Sequence, residues 1–104
     1  MKYIIDIDGT ICNNTFGDYF NAIPYHDRIN HFNSLFDQGH EIHYWTARGS
    51  NSGLDWYDFT MNQLSTWGVK YTSARVGKPA YDFWIDDKAT NVDIYFKTNT
   101  INRS

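Results

Sequence analysis

A single cysteine, Cys12, leaves this chain without an intramolecular disulfide or a thiolate metal cluster, and a reducing cytoplasm is the expected setting. Long apolar runs are also missing. None approaches the ~20 residues of a membrane span, and Asp6 follows Met1 too soon for a secretory core, so no membrane partner is expected. Basic residues are few, with 9 Lys and Arg against 12 Asp and Glu, and they form no run. The formal charge of −3 therefore gives no sign of a polyanion-binding surface. Charged residues make up only 20%, too few for a disordered chain, whereas 41% of residues are hydrophobic and 18% aromatic. That material predicts one compact domain over residues 1–104, with a core and a site rim built largely from rings.

The apolar, β-branched run Tyr3-Ile4-Ile5-Asp6-Ile7 stops at Asp8-Gly9 and reads as a buried strand ended by a turn. Residues Cys12 to Pro24 show no period and read as a loop or small hairpin leaving that strand. From Asp27, the spacing of Ile29, Phe32, Leu35 and Phe36 predicts a helix closed by Gly39. Glu41 to Thr46 reads as a second strand. A second helix, capped by Asn51-Ser52-Gly53, carries Trp56, Phe59 or Thr60, Gln63 or Leu64, and Trp67 on one face, and Gly68 ends it. Val69 to Tyr71 is expected as strand three, Phe83-Trp84-Ile85 as strand four, and Thr90 to Phe96 as a final helix. Strands alternating with helices predict an α/β fold, three-layered and Rossmann-like, with a mainly parallel sheet covered on both faces.

In such a sheet the ligand site lies beyond the carboxyl ends of the strands. Strand one delivers Asp6 and Asp8 there, on one side of an extended chain. Strand two delivers Thr46, Lys78 precedes strand four, and strand four delivers Asp86 and Asp87. Four acids in one place repel, so either their protonation changes or a cation binds. Hard oxygen ligands without cysteine or paired histidine favour Mg²⁺ over zinc.

The order and spacing of these residues resemble the haloacid dehalogenase superfamily. Asp6-Ile7-Asp8-Gly9-Thr10 looks like its first motif, Thr46 its second, Lys78 its third and Asp86-Asp87 its fourth. Trp45-Thr46-Ala47-Arg48-Gly49, Gly77-Lys78-Pro79 and Ile85-Asp86-Asp87-Lys88-Ala89 are similar to small members without a cap domain, found among capsule-biosynthesis and phage-type phosphatases. The resemblance implies a Mg²⁺-dependent phosphomonoesterase. In it Asp6 is the nucleophile and Asp8 the proton carrier. Thr46 donates to a phosphoryl oxygen, and Lys78 offsets charge. It further implies Mg²⁺ held by Asp6, the main-chain carbonyl of Asp8, and one of Asp86 or Asp87. Gly9 lets the backbone approach the phosphate, and Thr10 is a candidate to hold the Asp8 side chain. Arg48 is a candidate substrate contact, with a solvated loop arginine or an ion-pair partner as the equal alternative.

His40 and His43 lack metal-ligand spacing, and Trp56, Phe59 and Trp67 are accounted for by a helix face. No period explains Phe16, Tyr19 and Phe20, which leaves a substrate-facing rim and simple loop packing as equal readings. Two functions compete with the phosphatase. One is a receiver-like phospho-acceptor, whose motifs run in a different order; the other is a metal- or phosphate-binding module without turnover. A chain this short has no room for an inserted cap. The expected partner is thus a phosphorylated substrate reaching an open site: a sugar phosphate, a nucleotide or a phosphorylated polymer end. A second copy of the chain is the other source of a lid.

Overall fold

The computed structural model describes residues 1–98. Its sheet has three parallel strands, β1 (Lys2–Ile5), β2 (Glu41–Trp45) and β3 (Ser73–Arg75), in the order β1-β2-β3. Register runs Tyr3 to Ile42 and Ile5 to Tyr44 in the first pair, then Tyr44 to Ala74 in the second. Helices α1 (His26–Asp37) and α2 (Tyr57–Thr66) make the two crossovers, and α3 (Val92–Thr98) follows where a final helix was expected. The α/β class with a parallel sheet therefore holds.

Alternation along the strands sends Ile5, Ile42, Tyr44 and Ala74 into one face. There they join Ile7, Ile11, Ile29, Phe32, Leu64, Val69 and Phe96 in a single core. Phe32 and Phe96, 5.5 Å apart edge to face, bring α1 and α3 together. The opposite face, with Ile4, His43, Trp45 and Arg75, is only partly buried or exposed, so cover on both faces is not seen among the described residues.

Three local expectations need correction. Strand three begins at Ser73, not at Val69 to Tyr71. The Val69 N–H closes α2 on Leu64 O at 3.0 Å and the Lys70 N–H goes to Asn33 Oδ1 at 2.8 Å, so neither donor is free for the sheet. The second helix starts later than Asn51-Ser52-Gly53 predicts: Asp55 Oδ1 accepts the Tyr57 N–H at 2.9 Å, while Ser52 Oγ turns back to the Leu54 N–H. Phe83-Trp84-Ile85 forms no strand, and residues 79–91 all lie exposed. Only three apolar residues stand between Asp82 and Asp86. The Asp86 carboxylate accepts the Lys88 N–H at 2.7 Å, a local turn that competes with strand pairing.

Candidate active site

Beyond Ile5 the chain leaves the sheet through a tight turn. Thr10 and Ile11 N–H both reach Ile7 O at 3.0 Å, and the Gly9 N–H reaches Cys12 O at 2.9 Å. Gly9 takes φ +82°, a conformation that disfavours other residues, so the glycine after the acids serves the turn. Arg28, buried on α1, reinforces it by donating Nη1–H to Thr10 O at 3.1 Å. Nothing in the sequence reading singled out Arg28. Its signal was positional: it lies next to Ile29 and four residues before Phe32, on the apolar side of α1.

The turn leaves Asp6 and Asp8 lining a cavity of about 480 Å³, with Thr46 and Arg48 from the end of β2 in its wall. Asp6 Oδ1 accepts the Ile7 N–H at 2.9 Å, and Oδ2 lies 3.9 Å from Lys78 Nζ. Lys78 is fixed from its backbone: its N–H donates to Thr46 O at 3.0 Å, and its own carbonyl accepts the Ser50 hydroxyl at 2.6 Å. Its ammonium also rests 5.2 Å and 5.3 Å from the ring centroids of Tyr81 and Trp84. Burial pushes the Asp6 carboxyl above its usual range, opposed by the nearby Lys78 charge.

Asp8 is held differently. Arg48 donates Nε–H to Oδ2 and Nη2–H to Oδ1, both at 2.9 Å, a bidentate pair. Thr46 Oγ1 adds a weak donation to Oδ2 at 3.4 Å, and Cys12 Sγ one to Oδ1 at 3.6 Å. Four donors thus meet the roughly four lone-pair sites of one carboxylate. The Arg48 side chain is 0% exposed. Its Nη1 is taken by Gln63 Oε1 at 2.7 Å and Thr60 Oγ1 at 3.3 Å, and the Tyr19 ring covers the guanidinium at 4.5 Å. Of the readings offered for Arg48, the ion-pair partner is the one seen, with its side-chain nitrogens committed to Asp8, Gln63 and Thr60. Thr10 does not hold Asp8, since Arg48, Thr46 and Cys12 do so. Cys12 is itself inert: burial, then the Asp8 charge, pushes its thiol up to about 12.

Gln63 also donates Nε2–H to Tyr19 O at 2.8 Å, which ties the loop after β1 to α2. Sequence placed Gln63 on the helix face only as an alternative to Leu64. Gly49, at φ +83°, lets the loop after β2 pass close to its own later part, because a Cβ there would run into the main-chain oxygen of Leu54. Gly49→Ala is expected to cost about 1–3 kcal/mol in urea unfolding. An unchanged midpoint would show that the loop yields freely.

Asp86 and Asp87 do not join this group. They lie exposed on the 79–91 segment, and among the described residues no set of three or more His, Cys, Asp or Glu side chains is gathered as for a metal ion. The four-acid Mg²⁺ site expected from the sequence is therefore not assembled in this arrangement. Only its Asp6 and Asp8 half is in place.

No family model matches the chain, and no curated protein does. Among solved structures, the crystal structure of a target protein from Vibrio cholerae is similar, with 28% sequence identity and a TM-score of 0.80, covering 90% of this chain and 85% of that one. The likeness extends over most of both chains, so it supports the α/β arrangement described above.

Proposed function

We propose that the chain is a phosphohydrolase of the haloacid dehalogenase type, with Asp6 as nucleophile. The observation that carries this reading is the Lys78 ammonium, pinned through its main chain to Thr46 and Ser50, 3.9 Å from the Asp6 carboxylate that lines the cavity. A cation fixed there offsets charge on both a carboxylate nucleophile and an incoming phosphoryl group.

In this reading an Asp6 oxygen attacks phosphorus in line, the bond to the ester oxygen breaks, and an aspartyl-phosphate forms. Water then attacks that phosphorus, releasing phosphate and regenerating Asp6. Asp8 carries the protons, delivering one to the departing oxygen and removing one from the water. In the arrangement seen, Arg48, Thr46 and Cys12 occupy its acceptor sites, so this role requires Asp8 to exchange one of those partners for the reacting oxygen. Thr46 is the donor toward a phosphoryl oxygen.

The proposal includes the three-layered form of the superfamily's fold and a dependence on Mg²⁺. Among the described residues, the side chains as placed do not enclose the ion. Chelation tests the dependence directly: EDTA is expected to abolish hydrolysis of a chromogenic phosphate ester, and added Mg²⁺ to restore it. Full turnover in metal-free buffer would remove the metal from the account.

One second reading has an observation in its favour. The saturated Asp8 carboxylate and the exposed Asp86-Asp87 pair, which among the described residues is not gathered into a metal-binding set, also suit a module that binds phosphate without turning it over. Steady release of inorganic phosphate from the same ester eliminates it.

A further inference from the structure

The proposed chemistry leaves open what the phosphate is attached to, and the walls of the cavity narrow the choice. Its volume of about 480 Å³ is in the range that holds one small molecule. Among the described residues lining it, Arg48 is the one positive side chain, and all its nitrogens are already committed to Asp8, Thr60 and Gln63. Lys78, 12% exposed, is engaged with Asp6. Neither side chain offers an uncommitted positive charge to a second phosphate or a carboxylate, and drawing such a group from water without a counter-charge is costly.

The rim has the opposite character. Phe16 is 91% exposed and stands at φ +55°, an uncommon conformation for a bulky residue, and its N–H is held by Asn14 Oδ1 at 3.1 Å. Leu54, from a different loop, is 63% exposed on the same cavity. Neither belongs to the core. Trp56 and Tyr19, packed edge to face at 4.9 Å, line the same cavity, and the side-chain amides of Asn14 and Asn51 add neutral donors and acceptors.

We propose that Phe16 and Leu54 form a binding rim for a flat, uncharged ring, which makes the substrate class a phosphomonoester of a ring-bearing neutral alcohol, such as a nucleoside 5′-monophosphate. This rests on the phosphohydrolase reading for the phosphate end alone. Asp6, Phe16 and Leu54 line one cavity, so a group attached to a phosphate at Asp6 comes within reach of the other two. There a ring gains stacking and apolar contact, while a second charge gains nothing.

The test is calorimetric binding to the Asp6→Asn protein in Mg²⁺ buffer, beside turnover by the unaltered chain. The probes are uridine 5′-monophosphate, glycerol 1-phosphate and uridine 5′-diphosphate. The monophosphate is expected to bind at least about tenfold tighter than the ringless ester, and the diphosphate more weakly than the monophosphate. Phe16→Ala, added to Asp6→Asn, should make the monophosphate and the ringless ester bind alike, and Phe16→Tyr should restore the difference. Equal affinities, tightest binding of the diphosphate, no binding at all, or indifference to Phe16→Ala would each overturn the rim. Turnover of all three esters without ring preference would sink the rim and leave the phosphohydrolase standing. The predicted binding pattern without turnover would do the reverse.

Discussion

Replacing Arg48 with alanine should destabilise the fold by roughly 3–5 kcal/mol, the usual cost of stripping one partner from a buried, hydrogen-bonded ion pair. The side chain is wholly buried, and its removal leaves the Asp8 carboxylate, 18% exposed, with only the weak donors Thr46 and Cys12. It also strands Gln63 Oε1 and Thr60 Oγ1 in the interior and takes the cation from beneath the Tyr19 ring. Arg48→Lys should fall between alanine and the unaltered chain, because an ammonium keeps the charge but cannot make the two-pronged contact. Asp8→Leu combined with Arg48→Met should recover much of the loss, since removing both partners leaves no orphaned charge. Urea unfolding of the four proteins reads this out. An Arg48→Ala midpoint equal to that of the unaltered chain would show that the clamp contributes nothing.

The clamp also marks the boundary of what the sequence made legible. Asp6, Asp8, Thr46 and Lys78 could be placed because each stands at the end of an apolar strand or beside a turn. Parallel topology sends all such ends to one edge. The partner of Arg48 could not be read that way. Its burial depends on Thr60 and Gln63, polar residues three apart on the side of α2 that also carries Leu64, and their polarity hid their inward orientation. The third strand was displaced because the Val69 and Lys70 donors were taken by the helices, a tertiary fact with no local signature. Phe83-Trp84-Ile85 had the composition of a strand, but a strand needs a neighbour. In this arrangement the free edge of β1 is not used by it.

Asp6→Asn should reduce turnover by roughly 10⁵-fold or more, as removal of a nucleophile does elsewhere, while the fold persists. It should also gain a little stability at neutral pH. Burial raises the Asp6 carboxyl above its usual range, so the folded state holds that proton more readily than the unfolded chain does. Above the raised value the ionised group works against folding, below the ordinary value this effect vanishes, and a neutral amide removes it throughout.

The central claim is that phosphate passes through Asp6, and a rapid-quench experiment on Asp8→Asn with a chromogenic phosphate ester tests it most directly. A good leaving group departs without a proton, so this variant should release a burst of product and then stall, because nothing activates water to cleave the acyl phosphate. Mass spectrometry of the quenched protein is predicted to find one phosphate, on Asp6, and none in Asp6→Asn treated alike. Phosphate on any other residue, or a burst that survives Asp6→Asn, would contradict the account.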